Sequence, residues 1–179
     1  MQVNSLAVFC GSKSGNDPIY LEEALVLGKL MAQHAITLIY GGGNKGLMGA
    51  VADAVMLGGG KVTGIIPEIL LEWEQQHLGI TDLRVVNDMH IRKKMMYELA
   101  DAAIVLPGGN GTLDELFEML TWNTLKIHSK KIILLNCGNF YDHLIEHIKK
   151  MYQADFLYEE WQERLIVCTT ATEAINFLV

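Results

Sequence analysis

Pro107-Gly108-Gly109-Asn110-Gly111-Thr112-Leu113-Asp114-Glu115 is the stretch on which the fold turns. It follows an apolar run at residues 102–106 and opens a segment where Leu116, Phe117, Leu120 and Leu125 recur with helical spacing. That order predicts a strand, a tight loop and a helix. Such a junction aims unpaired backbone N–H groups at one point, with the partial positive charge of a helix N-terminus behind them. Three glycines let the backbone turn with positive φ and approach a ligand closely. Thr112 adds a hydroxyl and Glu115 a carboxylate. Thr112-x-x-Glu115 also fits a capping box, in which both side chains serve only the helix's own donors, and the two roles are compatible for Glu115.

Working outward, the same pattern recurs. Residues 5–10 read as a buried first strand followed by a polar loop at residues 11–17, and Asp17-Pro18 reads as a cap and first position of a helix. Residues 36–40 read as a second strand running into Gly41-Gly42-Gly43-Asn44-Lys45-Gly46 and a small-residue helix at 47–57. Strands are expected at 61–66, 83–86, 102–106, 132–136 and 165–168. Helices follow Asp88, span 141–152, and start at the capping box Thr170-x-x-Glu173. Residues 67–81, with Trp73, Glu74 and His77, lack periodicity and read as a lid or rim. Alternation of apolar strands with helices implies a doubly wound, Rossmann-like α/β fold, a parallel sheet covered on both faces. Its ligand belongs beyond the carboxyl ends of the strands, where all three loops lie.

The 179 residues, half of them hydrophobic, suit one domain spanning 1–179. A net charge of -7 argues against nucleic-acid or membrane-surface binding, which needs a basic footprint, and leaves room for a small anionic ligand held by a local patch. Cys10, Cys137 and Cys168 have no paired spacing and read as reduced thiols. With no secretory pattern at the start and no apolar run of membrane-spanning length, a cytoplasmic location is expected.

Arg92-Lys93-Lys94 is a compact basic cluster in this acidic chain, and helical spacing puts Arg92 on the face of Met96 and Leu99, where a charge needs an anionic partner. Gly41-x-Gly43-x-x-Gly46 matches the dinucleotide fingerprint but follows the second strand, and the nearest acid, Glu68, lies past Pro67, so it reads as a packing turn or a second phosphate- or ribose-facing loop. His143 and His147 have metal-pair spacing without a third ligand, so no metal is expected.

Pro-Gly-Gly-x-Gly-Thr-x-x-Glu at 107–115, preceded by Met89-His90-Ile91-Arg92-Lys93, resembles the signature pair of the Lonely guy (LOG) family of cytokinin-activating phosphoribohydrolases. The likeness runs through Val8-Phe9-Cys10-Gly11-Ser12, Tyr40-Gly41-Gly42-Gly43, Gly46-Leu47-Met48-Gly49 and Leu120-Thr121-Trp122, covering residues 6–145. Asn110 departs from the aromatic residue expected at that position and bears on base or side-group preference. The resemblance implies hydrolysis of the N-glycosidic bond of a purine nucleoside 5′-monophosphate, adenosine monophosphate or an N6-prenylated analogue, without a cofactor. It makes Arg92 and Glu115 the catalytic pair. Lys93, Gly108, Gly109, Asn110, Gly111 and Thr112, with Gly11, Ser12, Gly42 and Gly43, become nucleotide contacts, and Glu74 and Thr121 further substrate contacts. It also implies a homodimer, for which Met89, Met95 and Met96 are a candidate contact surface. Two rivals use the same loops. One is a non-catalytic, Rossmann-like carrier of a phosphorylated nucleotide cofactor, which has no need of Arg92 and Glu115. The other is an amino-acid decarboxylase, which needs pyridoxal phosphate and a Schiff-base lysine that no sequence context marks.

Overall fold

The computed structural model describes residues 3–71 and 75–179. The strands are β1 (Ser5–Phe9), β2 (Thr37–Tyr40), β3 (Val62–Pro67), β4 (Asp82–Val86), β5 (Ala102–Val105), β6 (Ile132–Leu135) and β7 (Leu165–Cys168). They form one parallel sheet in the order β4-β3-β2-β1-β5-β6-β7. The helices are α1 (Pro18–Gln33), α2 (Gly46–Leu57), α3 (Met89–Leu99), α4 (Asn110–Thr124), α5 (Asp142–Gln153) and α6 (Ala171–Asn176).

Strands this apolar on both sides need cover on both sides. Side chains of one parity, such as Leu6, Val8, Ile104 and Ile133, pack with α1, α2 and α6. Those of the other parity, Ala7, Phe9, Val105 and Leu134, pack with α3, α4 and α5. Each fully buried Leu, Ile or Phe contributes about 1.5–3 kcal/mol relative to exposure, so burial of both parities sets the sandwich. On the first face α1 and α2 lie so close that a Cβ on Gly28 would stand 2.6 Å from that of Ala54.

The winding reverses at the middle of the sheet. β1 pairs on one edge with β2 (Ser5 with Thr37) and on the other with β5 (Leu6 with Ala102), so the chain winds outward to β4 and returns beside β1. A reversal of this kind opens a crevice at the carboxyl ends of the two central strands. Its floor is tied by backbone bonds from Leu106 to Phe9 (2.9 Å), Gly11 to Pro107 (3.0 Å) and Leu47 to Gly11 (3.1 Å), donors named first.

Asp17 and Asp88 cap α1 and α3, accepting from Ile19 N–H (3.0 Å) and Ile91 N–H (2.8 Å). The signature helix departs from the capping-box expectation. α4 begins at Asn110 with Gly109 as its N-cap, so Thr112 already lies inside the first turn and Glu115 a turn further on. Neither side chain caps the helix. The left-handed turn expected of these glycines is also absent: positive φ occurs at Gly42 and Gly46 but not at Gly108, Gly109 or Gly111.

The aperiodic stretch after β3 makes a short turn at Glu68–Leu70. Residues 75–80 then lie along the β2 loop, with an antiparallel bridge between Gly43 and Gln76 and backbone bonds from Asn44 N–H to Gln75 (2.8 Å) and from His77 N–H to Gly42 (2.9 Å). The methionine face expected on α3 does not form. Met96 is core, Met95 packs against that core, and Met89 turns to the crevice, because the heptad spacing that aligns 89 with 96 points inward.

Candidate active site

A cleft of about 290 Å³ occupies the crevice. Its walls are the end of β1 with Gly11 and Ser12, Gly41 and Met48 from the β2 junction, Leu70, the Met89, Arg92 and Met96 face of α3, and Gly109–Thr112 with Asp114 and Glu115 from the start of α4. The lining is therefore divided between backbone N–H groups at a helix N-terminus and methionine and leucine side chains. Such a division fits a ligand with an anionic end and a flat apolar body.

Two charged side chains are buried in that cleft among the described residues, Arg92 at 5 % exposure and Glu115 at 9 %. The spacing of α3 explains the first: Arg92 shares a face with Met89 and Met96, and its Nη1 lies 3.8 Å from Met89 Sδ. Its Nη2 donates to the Gly41 carbonyl at 3.3 Å. A Cβ on Gly41 would stand 1.9 Å from that nitrogen, so glycine here makes room for a guanidinium. Thr112 fills a similar gap, its Oγ1 2.1 Å from where a Cβ of Gly108 would be. A Cβ on Gly109 or Gly111, by contrast, would meet nothing within 4 Å.

Lys93, next to Arg92, goes elsewhere. Its Nζ bonds Glu118 at 2.9 Å and Asp114 at 3.0 Å, and Tyr97 donates to Glu118 at 2.7 Å, so α3 and α4 are clamped together beside the cleft. Burial acts to lower the Lys93 pKa, but the bonds to Glu118 and Asp114 outweigh it and hold the amine above its ordinary value. Burial and the same Glu118 carboxylate push the Tyr97 phenol far up, so it remains a donor.

Of the residues singled out in the sequence, Gly11, Ser12, Arg92, Gly109, Asn110, Gly111, Thr112 and Glu115 meet in the cleft. Gly108 lies behind it, on a second cavity of about 390 Å³ that shares Gly11, Ser12 and Gly109 as a common wall. Gly42 packs under Ile66 and Leu83, and Gly43 is taken up by its bridge to Gln76. Thr121 faces away, lining an apolar groove of about 340 Å³ with Phe117, Leu120 and Trp161, and its hydroxyl returns to the Phe117 carbonyl at 2.7 Å. Glu74 lies outside the described residues. His143 and His147 face solvent on α5, and no group of three metal-binding side chains occurs among the described residues. Sequence reasoning missed Met48, Leu70 and Asp114 as cleft residues. Only Asp114 carried a signal, lying beside Glu115 on the first turns of α4.

The sequence profile described as "Possible lysine decarboxylase" matches residues 48–178. The chain is 42% identical over 172 residues to a Rhodococcoides fascians protein named "Cytokinin riboside 5'-monophosphate phosphoribohydrolase", an alignment covering 96% of this chain and 87% of that one. The chain belongs to the Lonely guy family. An Arabidopsis thaliana protein that is also named a cytokinin riboside 5'-monophosphate phosphoribohydrolase is 42% identical over 173 residues, 97% of this chain and 80% of its own. The Lonely guy chain shares its fold with the molybdenum cofactor binding protein of Rippkaea orientalis (TM-score 0.73, 21% identity, 99% of this chain and 96% of that one). Among the described residues no helix is long and apolar enough to cross a membrane.

Proposed function

We propose that this protein hydrolyses the N-glycosidic bond of purine nucleoside 5′-monophosphates, adenosine monophosphate or its N6-modified cytokinin analogues, to free base and ribose 5-phosphate. The observation that carries this reading is the burial of Arg92 and Glu115 in one cleft with the N-terminus of α4. The 5′-phosphate lies against Gly109, Asn110, Gly111 and Thr112, where backbone donors and the helix dipole favour an anion. Gly11 and Ser12 close the opposite wall. The purine extends toward Met48, Leu70 and Met89.

Bond cleavage leaves oxocarbenium character at C1′ of the ribose. The Glu115 carboxylate stabilises that charge and takes a proton from the water that attacks C1′, as paired carboxylates do in glycoside hydrolysis. The C1′–N9 bond breaks with its electrons moving into the purine, whose nitrogen takes up a proton in turn. Arg92 is a permanent cation, so its part is electrostatic, stabilising charge on the departing base and fixing the carboxylate. Lys93 acts by holding α3 against α4, and Thr121 has no contact with a substrate in the same subunit's cleft.

A decarboxylase needs a Schiff-base lysine, and among the described residues no lysine lines the cleft. A carrier has no use for a buried carboxylate at the sugar position. The chain is proposed to work in the cytoplasm, in keeping with three free thiols. It is proposed to form a homodimer, with Leu125, Phe156 and Tyr158 beside the apolar groove as exposed apolar surface. The test is direct: incubate the protein with adenosine monophosphate, its N6-prenylated analogue and adenosine, and assay free base. Base from the monophosphates and far less from adenosine supports the reading. Equal turnover of adenosine and adenosine monophosphate, or no base from any of them, removes it.

A further inference from the structure

We infer that His77 is a positioning residue for Arg92, acting with Asp53 through the loop between them; the inference rests on the phosphoribohydrolase reading. Neither residue lines the cleft. His77 is 8 % exposed, a buried polar side chain on a stretch otherwise without periodicity, and its ring is fully engaged. Nδ1 accepts from Gly79 N–H at 3.2 Å and Nε2 faces Asp53 Oδ1, on α2, at 3.0 Å. That pair of partners selects the neutral tautomer with its proton on Nε2, donated to the carboxylate.

This bond anchors residues 75–80 to α2, and the same residues hold the β2 loop. His77 N–H bonds the Gly42 carbonyl at 2.9 Å, and Asn44 N–H bonds Gln75 at 2.8 Å. One residue before Gly42, the Gly41 carbonyl accepts from Arg92 Nη2 at 3.3 Å. Gly42 has φ +79, and a Cβ there would stand 3.1 Å from Ile66 and 3.3 Å from Leu83, so this left-handed glycine loop depends on outside bonds to fix the direction of its carbonyls. Asp53, His77, Gly42, Gly41 and Arg92 thus form a continuous chain of bonds from an exposed carboxylate on α2 to the cation in the cleft.

A residue that only aims Arg92 affects the transition state more than substrate binding, so its loss lowers kcat and leaves KM nearly alone. Asp53 suits the test because its carboxylate is exposed and remote from the cleft. The experiment measures base release from adenosine monophosphate, thermal melting, and hydrogen exchange at the Asn44 amide for wild type, Asp53→Ala, Asp53→Asn, His77→Ala and His77→Gln. Expected in both alanine variants are faster exchange at Asn44 and a kcat lower by roughly tenfold, below the 10²-fold that a 1 Å misplacement costs, with KM within about twofold. Asp53→Asn keeps an acceptor and His77→Gln a donor, and each recovers most of the rate. Unchanged kcat in well-folded alanine variants overturns the inference, and so does a rate loss that tracks the unfolded fraction without rescue. Wild-type protein that releases no base fails the phosphoribohydrolase reading instead, a result separable from an active wild type with indifferent variants.

Discussion

The junctions after β2 and after β5 look alike in sequence, each a strand, a run of glycines and a helix, yet their glycines do different work. After β2 the glycines leave room for the protein itself. Gly41 leaves space for Arg92, Gly42 takes the left-handed turn, and Gly46 lets the Ser12-Lys13 backbone pass within 2.5 Å of where its Cβ would be. After β5, Gly108 makes room for Thr112, but Gly109 and Gly111 face open space at ordinary φ on the wall of the cleft. A glycine motif therefore announces missing volume without saying what fills it.

The largest expected effect tests whether the β5 junction carries the chemistry. Glu115→Gln keeps size and helical propensity but removes the charge, so base release should fall roughly 10²- to 10⁴-fold. The isosteric amide should leave the protein folded, which thermal melting checks; near-normal hydrolysis in this folded variant breaks the assignment. Next comes the β2 junction. Gly41→Ala forces the Arg92 guanidinium aside and should cost about 10²-fold in kcat, while Gly59→Ala, whose Cβ would meet nothing, should alter only stability through its φ of +77. Equal kcat in Gly41→Ala and wild type would show that the close approach is not used. The third test contrasts the loops directly. Gly109→Ala finds empty space in the free protein, so it should melt like wild type while raising KM for the monophosphate about tenfold by crowding the phosphate.

The smallest effect belongs to strand ends that carry thiols in place of a cleft. Burial pushes the Cys137 thiol up to about 11 and the Cys168 thiol up to about 12, both from 9.0. Their folded pKa values are raised, so the stability they contribute is complete below pH 9.0 and is lost as pH rises through about 11 and then 12. Native protein at pH 8 should resist alkylation at both sites, and peptide mapping that finds either labelled without unfolding contradicts the burial.

The inner strands were legible in the sequence because strands buried on both faces are written as nearly continuous apolar runs, and each of the seven, the half-exposed edge strand β4 included, falls within a residue or two of its expected place. Glu115 was singled out by the Thr112-x-x-Glu115 pattern and the family signature, whereas Arg92 was legible for the opposite reason, as a charge whose helical spacing turns it inward. Lys93 was not, since a basic residue beside Arg92 reads the same whether its partner is a phosphate or, as here, Asp114 and Glu118 from another helix. The Thr112-x-x-Glu115 box misled because it fits a helix start, and Gly109 at the N-cap set the start earlier. Residues 75–80 left no periodic trace, their place being fixed by backbone bonds to Gly42 and Asn44 and by the single side-chain contact of His77 with Asp53, none of which follows a period.

The pairing of β1 with β5 has a consequence for how the chain is made. The Asp101 carboxylate accepts from the backbone N–H of Asn4, 97 residues earlier, at the start of that central pair. At a synthesis rate of about 5–20 residues per second, the first strand waits on the order of 5–20 s at the ribosome before its partner exists. During that interval α1 and α2 can cover Leu6 and Val8, while Phe9 waits for α3, whose Tyr97 ring it meets edge-on, and then for α4. The wall where Ser12 faces Gly109 thus cannot form before the chain has passed residue 109, and a chain truncated before residue 102 should associate with chaperones rather than bind nucleotide.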